Sequence, residues 1–152
     1  MNQIKAGTFK ILENWKIETV DKETGKVLQS EEKCNTIVNA GLTRMALILN
    51  GNSSTYFRAL GVGTGTTGAA NGDTTLETEQ QRDTAVLTNG TYTAIFTKTF
   101  SFDGDYAITE AGIFDSATVS GSTMLARTTF SAKNVSTVVD LIVTATITVS
   151  RV

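Results

Sequence analysis

The sequence predicts an all-β fold, a jelly-roll-like β-sandwich carrying one short α-helix, and three observations predict it. Apolar and polar residues alternate over several segments, most regularly from Leu141 to Ser150, which is the period-2 pattern of a half-buried strand. Clusters of Gly, Asn, Asp and Ser separate these segments at intervals of roughly eight to twelve residues, the spacing of a sandwich or barrel. Only one stretch has the helical period, so repeated βαβ units are ruled out. Thr makes up about one residue in six and suits strands with one solvated face. At 152 residues a single domain over 1–152 has enough chain for a real core.

The elements follow in order. Thr8 to Val20 reads as a strand with Phe9, Ile11, Trp15 and Ile17 on one face; Leu12 beside Glu13 breaks the alternation, which suits a bulge or an edge strand. Asp21-Lys22-Glu23-Thr24-Gly25 is a polar turn, and Lys26 to Ser30 returns as the partner of a hairpin. Residues 1–34 hold nearly half of the chain's charges and form a charged hairpin or arm suited to attachment. Asn39 begins the helix as its cap, with Leu42, Met45, Ala46 and Leu49 as the apolar stripe that plugs one end of the core. Asn50-Gly51 ends it with a left-handed cap. Thr55 to Val62 is the next strand. Thr91 to Phe102 alternates, with Tyr92, Ala94, Phe96, Phe100 and Phe102 on one face and Lys98 out of character. Asp103-Gly104-Asp105 turns the chain, with too few spaced acids for a calcium loop. Gly112 to Asp115 and Thr123 to Phe130 are strands, and the last strand points Leu141, Val143, Ala145, Ile147 and Val149 inward.

Between the third strand and its successor lies Ala59-Leu60-Gly61-Val62-Gly63-Thr64-Gly65-Thr66-Thr67-Gly68. Gly63, Gly65 and Gly68 fit the G-x-G-x-x-G of a dinucleotide loop, but Ala69-Ala70-Asn71-Gly72-Asp73 follows where a helix must begin to carry the pyrophosphate. No Gly-Lys-Ser/Thr follows either, which excludes a Walker loop. The glycines are expected to end a strand and release the chain into a long surface loop.

Composition narrows function. The net charge is −2 with no histidine and a pI near 5.1, so no basic field attracts nucleic acid. A Ser-His-Asp triad and His- or multi-Cys-based zinc sites cannot be assembled; two carboxylates alone remain a possible catalytic pair, but nothing in the sequence places one. No cofactor or metal is expected. Cys34 is the only cysteine, which excludes an internal disulfide and is expected to be a buried, inert thiol. No apolar run approaches a membrane span, and the first residues lack a signal peptide's apolar core. Synthesis in a reducing cytoplasm, with the chain remaining soluble there, is the expectation. Asn52, Asn89 and Asn134 begin glycosylation triplets that carry little meaning without a secretory signal. Proline is absent, which removes one usual protection of edge strands and hints at assembly.

Three ordered blocks carry a family resemblance. Gly-Val-Gly-Thr-Gly-Thr-Thr with Gly-Asp-Thr-Thr-Leu-Glu-Thr-Glu-Gln-Gln-Arg (Gly72 to Arg82) comes first, then Thr-Glu-Ala-Gly-Ile-Phe-Asp (Thr109 to Asp115). Gly-Ser-Thr-Met-Leu-Ala-Arg-Thr-Thr-Phe-Ser (Gly121 to Ser131) is the third. From about Asn35 onward the chain resembles small virion structural proteins of tailed bacteriophages, typically capsid cement or decoration proteins. The glycine turn, Glu-x-x-Arg and Glu-x-Gly-x-Phe-Asp are also similar to the N-terminal domain of tail-collar fibres. The resemblance implies a non-enzymatic protein of the outer capsid surface that binds the major capsid protein of the same phage and stabilises the shell. It also implies a homo-oligomer, with a dimer preferred over a trimer. A tail adaptor is the first alternative; such modules normally precede a long shaft, which is not seen before Val152. A carbohydrate-binding sandwich is the second, with Trp15 and Tyr56 its only candidate platform aromatics. Within the blocks, Glu79, Arg82 and Glu110 are the candidates for a clamp in which Arg82 forks onto a carboxylate and locks the loop. Solvated surface charges, contributing about 0–1 kcal/mol per pair, are the competing reading. Arg127 is a candidate for similar work at an interface, with nothing in the sequence to distinguish it from a solvated strand residue. Candidate partner contacts are Trp15, Lys16, Lys22 and Lys26 in the hairpin, and Gly63, Gly65 and Asp73 in the loop.

Overall fold

The computed structural model describes residues 7–151. Nine strands and one helix build two antiparallel sheets packed as a sandwich. The first sheet has the order β2-β1-β9-β6-β5, from β1 (Phe9–Asp21), β2 (Val27–Lys33), β5 (Val86–Gly90), β6 (Thr93–Phe100) and β9 (Val139–Arg151). The second has the order β4-β3-β7-β8, from β3 (Ala59–Gly63), β4 (Glu79–Thr84), β7 (Tyr106–Phe114) and β8 (Met124–Val135). Four hairpins within the sheets, β1–β2, β3–β4, β5–β6 and β7–β8, do most of the wiring. Helix α1 (Asn39–Leu49) carries the chain from the first sheet to the second.

The alternation read from the last strand is what fills the core. Leu141, Val143, Ala145 and Ile147 of β9 face Leu60, Val62, Ile108, Ala111 and Ile113 of the second sheet, with Phe96 and Phe100 of β6 beside them. A smaller cluster of Val38, Ala59, Leu76, Phe114 and Met124 lies on the other side of the second sheet. β3 and the adjoining parts of β7 and β8 are therefore buried on both faces, and the 64–78 loop forms the outer cover.

The N-terminal hairpin read from the sequence forms as β1 and β2 and is built into the first sheet. β1 lies inside its sheet and pairs with β9 residue for residue from Phe9 to Asp21. No bulge separates Leu12 from Glu13; the inward side runs Ile11, Glu13, Trp15, Ile17, Thr19, so a carboxylate occupies a core position. The register shift lies instead on the β2 side at Thr19/Val20. The turn is held by Asp21, whose Oδ1 accepts the Glu23 and Thr24 amide hydrogens and the Thr24 hydroxyl. Gly25 follows at φ +70°.

The helix also departs from expectation. Val38 holds the N-cap position and no side chain caps it. Gly41 is the one buried residue of α1, pressed so closely on β8 that a Cβ would lie 2.5 Å from the Leu125 carbonyl oxygen. Arg44, one turn later, bonds Asp115 and Thr123. This Gly41–Arg44 face docks the helix, and the expected stripe of Leu42, Ala46 and Leu49 is left exposed, with Met45 half-buried. Gly51 at φ +77° ends the helix as expected. Elsewhere Tyr92 is not an inward strand residue but one of two residues in the β5–β6 turn, and Ala94 is exposed. Cys34 is exposed, not buried.

Candidate functional site

The glycine loop closes over an anion supplied by the protein itself. Glu110 of β7 is fully buried. Its Oε1 accepts the Gly65 amide at 3.0 Å and the Thr78 amide at 2.8 Å, and its Oε2 accepts the Glu77 amide at 3.0 Å. The two ends of the 64–78 loop thus converge on one carboxylate, in the way a phosphate-binding loop converges on phosphate. Gly63 and Gly65 permit this approach. A Cβ at Gly65 would lie 2.5 Å from Glu77 Cβ and 2.6 Å from Glu110 Oε1, and one at Gly63 would meet Thr78 and Glu110.

Arg127 of β8 supplies the countercharge. It is 3% exposed and donates from Nε to Glu110 Oε2 at 2.9 Å. Its Nη1 donates to Asp73 at 2.8 Å and its Nη2 to the Thr67 carbonyl at 2.9 Å. One guanidinium therefore ties a core strand to two points of the loop. Its cross-strand partner on β7 is Gly112, where the space of a Cβ is taken by the Phe114 ring and Leu76. Burial works against the Asp73 carboxylate, but the Ala70 amide and Arg127 outweigh it and hold its pKa below the usual range. Burial likewise works against the Arg127 charge, and Asp73 and Glu110 outweigh it, raising its pKa. Glu77 closes the loop internally, accepting the Thr67 amide at 2.8 Å and its hydroxyl at 3.0 Å.

Arg82 of β4 forms a second lock. It forks onto Glu79 at 2.6 and 2.9 Å, donates to the Ser122 hydroxyl, and lies 3.4 Å over the Phe114 ring. Its carboxylate partner is Glu79; Glu110 belongs to Arg127. The proposed trio is therefore two separate devices on the same face. Arg127 is the residue whose role the sequence left open. An isolated Arg in the apolar run Met124 to Ala126 was its only signal, and the glycine opposite is visible only once the register is known.

The candidate contact residues divide. Trp15 is fully buried in the core, which removes it from any contact surface and from any sugar platform. Gly63 and Gly65 are buried beneath the loop and serve close packing, and Asp73 is held by Arg127. Lys16 and Lys26 are exposed. Lys22 donates to the Thr137 carbonyl at 2.9 Å and pairs with Asp140, bracing the β1–β2 turn against the β8–β9 turn. Among the described residues no group of three or more His, Cys, Asp or Glu is arranged to hold a metal ion, and no helix is long and apolar enough to cross a membrane. No family model, curated protein or solved structure matches the chain.

Proposed function

We propose that this chain is a structural protein of a tailed-bacteriophage virion, a cement or decoration protein that binds the assembled shell through the major capsid protein and stabilises it without catalysing a reaction. One observation carries the reading. The three sequence blocks that resemble such proteins meet in one place: Asp73, Leu76, Glu79 and Arg82 come from the first, Glu110, Phe114 and Asp115 from the second, and Ser122 and Arg127 from the third. Their polar atoms are engaged with each other, so the shared residues are used to hold a long loop rigidly on a sheet. A rigid, pre-ordered loop reduces the ordering cost of docking to another surface. The exposed lysines of the β1–β2 hairpin, Lys16 and Lys26, and the outer side of the loop are the proposed contacts.

The mechanism is thermodynamic linkage. A protein that binds the assembled lattice and not the free subunit shifts the equilibrium towards the lattice, and many modest contacts on a symmetric array add up. Co-sedimentation with capsids lacking the protein, followed by heating, tests this. Saturable binding and a higher rupture temperature are expected. Absence of binding to shells together with binding to purified tails would replace this reading with that of a tail adaptor.

A further inference from the structure

The four sheet edges are treated unequally. β2 is stitched to β8: Glu31 accepts from Lys133 Nζ and the Ser131 amide, and Gln29 accepts the Asn134 amide. β8 is covered at its other end by the Ile37 bridge and the Val38-to-Leu125 bond. β4 carries Glu79, Arg82 and Asp83, and reaches the first sheet through Asp83–Lys98 and Gln81 to the Ser101 carbonyl. β5 has none of these protections. Val86-Leu87-Thr88-Asn89-Gly90 holds no charge and no proline, and all five residues are exposed. Among the described residues its only strand partner is β6. Such an edge presents a free row of backbone donors and acceptors.

An apolar surface adjoins that edge. Asn89 and Gly90 line a groove with Tyr56, Tyr92, Met45 and Ile48, and the same Met45 and Ile48 continue into a second groove with Phe9 and Leu49. Leu49 is 84% exposed, Tyr92 74%, Phe9 61% and Tyr56 55%. With about 150–250 Å² for a large aromatic side chain, these groups reach the roughly 300–600 Å² of the largest apolar patch on a typical monomer, a size that is often functional. Among the described residues no charged one lines either groove, so closure over these residues strands no ion.

We infer that a second copy of this chain covers this corner, the two β5 strands pairing antiparallel across a two-fold axis to join the five-stranded sheets into one of ten. A second copy is the occupant that fits because an antiparallel edge is complementary to itself under two-fold rotation. The patch together with the strand edge also approaches the roughly 800 Å² per partner of a standard interface. This holds whether or not the shell is the target, and it assigns a surface to the oligomer.

Sedimentation velocity on the full chain alone, without shells, tests it. The expected result is a particle of twice the 16.2 kDa chain mass, and a monomer with an unchanged circular dichroism spectrum for Val86→Lys/Thr88→Lys, whose side chains leave the core untouched. In a Cys34→Ser background, Thr88→Cys is expected to form an intermolecular disulfide on mild oxidation, and Thr118→Cys, on a distant exposed turn, is not. A wild-type monomer at every concentration, or a dimer indifferent to the two lysines, overturns the inference. A wild-type monomer whose shell binding is lost in the lysine variant would show that β5 pairs with a shell protein, which also overturns it.

Discussion

Glu13 sits on the inner face of β1, 4% exposed between Ile11 and Trp15. Neither of its carboxyl oxygens closes a hydrogen bond of full geometry. Burial raises its pKa to about 7, offset only in part by the Trp15 indole and the Asn35 backbone. A folded-state pKa above the unfolded value means that the native state holds the proton longer, so this group's contribution is full below about pH 4.5 and is lost as pH rises through about 7. At about 1.4 kcal/mol per unit the loss amounts to about 3 kcal/mol. Asp73, its pKa lowered, acts in the opposite direction and contributes above its unfolded pKa, not in strong acid. Thermal melts across pH are therefore expected to peak on the acid side of neutral. Glu13→Gln is expected to flatten the decline between about pH 5 and 7; an unchanged profile would show that Glu13 does not titrate there. At Arg127 the concern is the charge left behind. Arg127→Met leaves Glu110 buried without its cation and is expected to cost about 3–5 kcal/mol in urea unfolding. Combining it with Glu110→Gln should cost less than the two single changes added. Additivity would mean that the two residues do not act as a pair.

At the scale of elements, the 64–78 loop shows how a long segment without secondary structure becomes rigid. Leu76 anchors it in the outer apolar cluster, Glu110 gathers its two ends, and Arg127 pins its middle. Gly65→Ala forces a Cβ into Glu77 and Glu110. The expected outcome is cleavage within 64–78 by limited proteolysis while the rest of the chain stays resistant; a loop as resistant as wild type would place its rigidity elsewhere. Strands were legible where alternation is strict. β9 follows its reading from Leu141 to Ile147 because one face meets the core and the other carries Thr. β7 and β8 run longer than their apolar segments suggest, since a sheet covered on both faces does not alternate: five consecutive residues of each are buried. β5 was missed because nothing covers it. The helix was legible in its existence and its Gly51 stop. Its docking face was not, because close approach at Gly41 outweighs the leucine stripe. The clamp was legible as far as Arg82 forking onto a carboxylate. Which carboxylate it takes depends on the register of β3, β4 and β7, and local spacing does not encode that.

For the whole molecule, the two sheets divide the labour. The second, buried on both faces at β3 and the adjoining parts of β7 and β8 and locked by two arginines, is a rigid platform. The first has an uncharged edge and an apolar corner, the surface assigned above to a second copy. Dimerisation through that corner would double the number of shell contacts per particle, and linked contacts gain from high effective concentration. The Val86→Lys/Thr88→Lys variant is therefore expected to bind empty shells more weakly than wild type in a sedimentation titration, although its 64–78 loop is still held by Glu110 and Arg127. Equal affinity would mean that each protomer binds on its own.

Trp15 is the sole tryptophan of the chain, and it lies in the core two residues from the ionising carboxyl of Glu13. The protein thus contains its own optical gauge. Indole emission reports on the polarity around the ring, and a carboxylate forming beside it changes that polarity without unfolding anything. A shift in emission that tracks the Glu13 titration, in a protein whose far-ultraviolet spectrum stays constant, would let the protonation of the core be followed in solution.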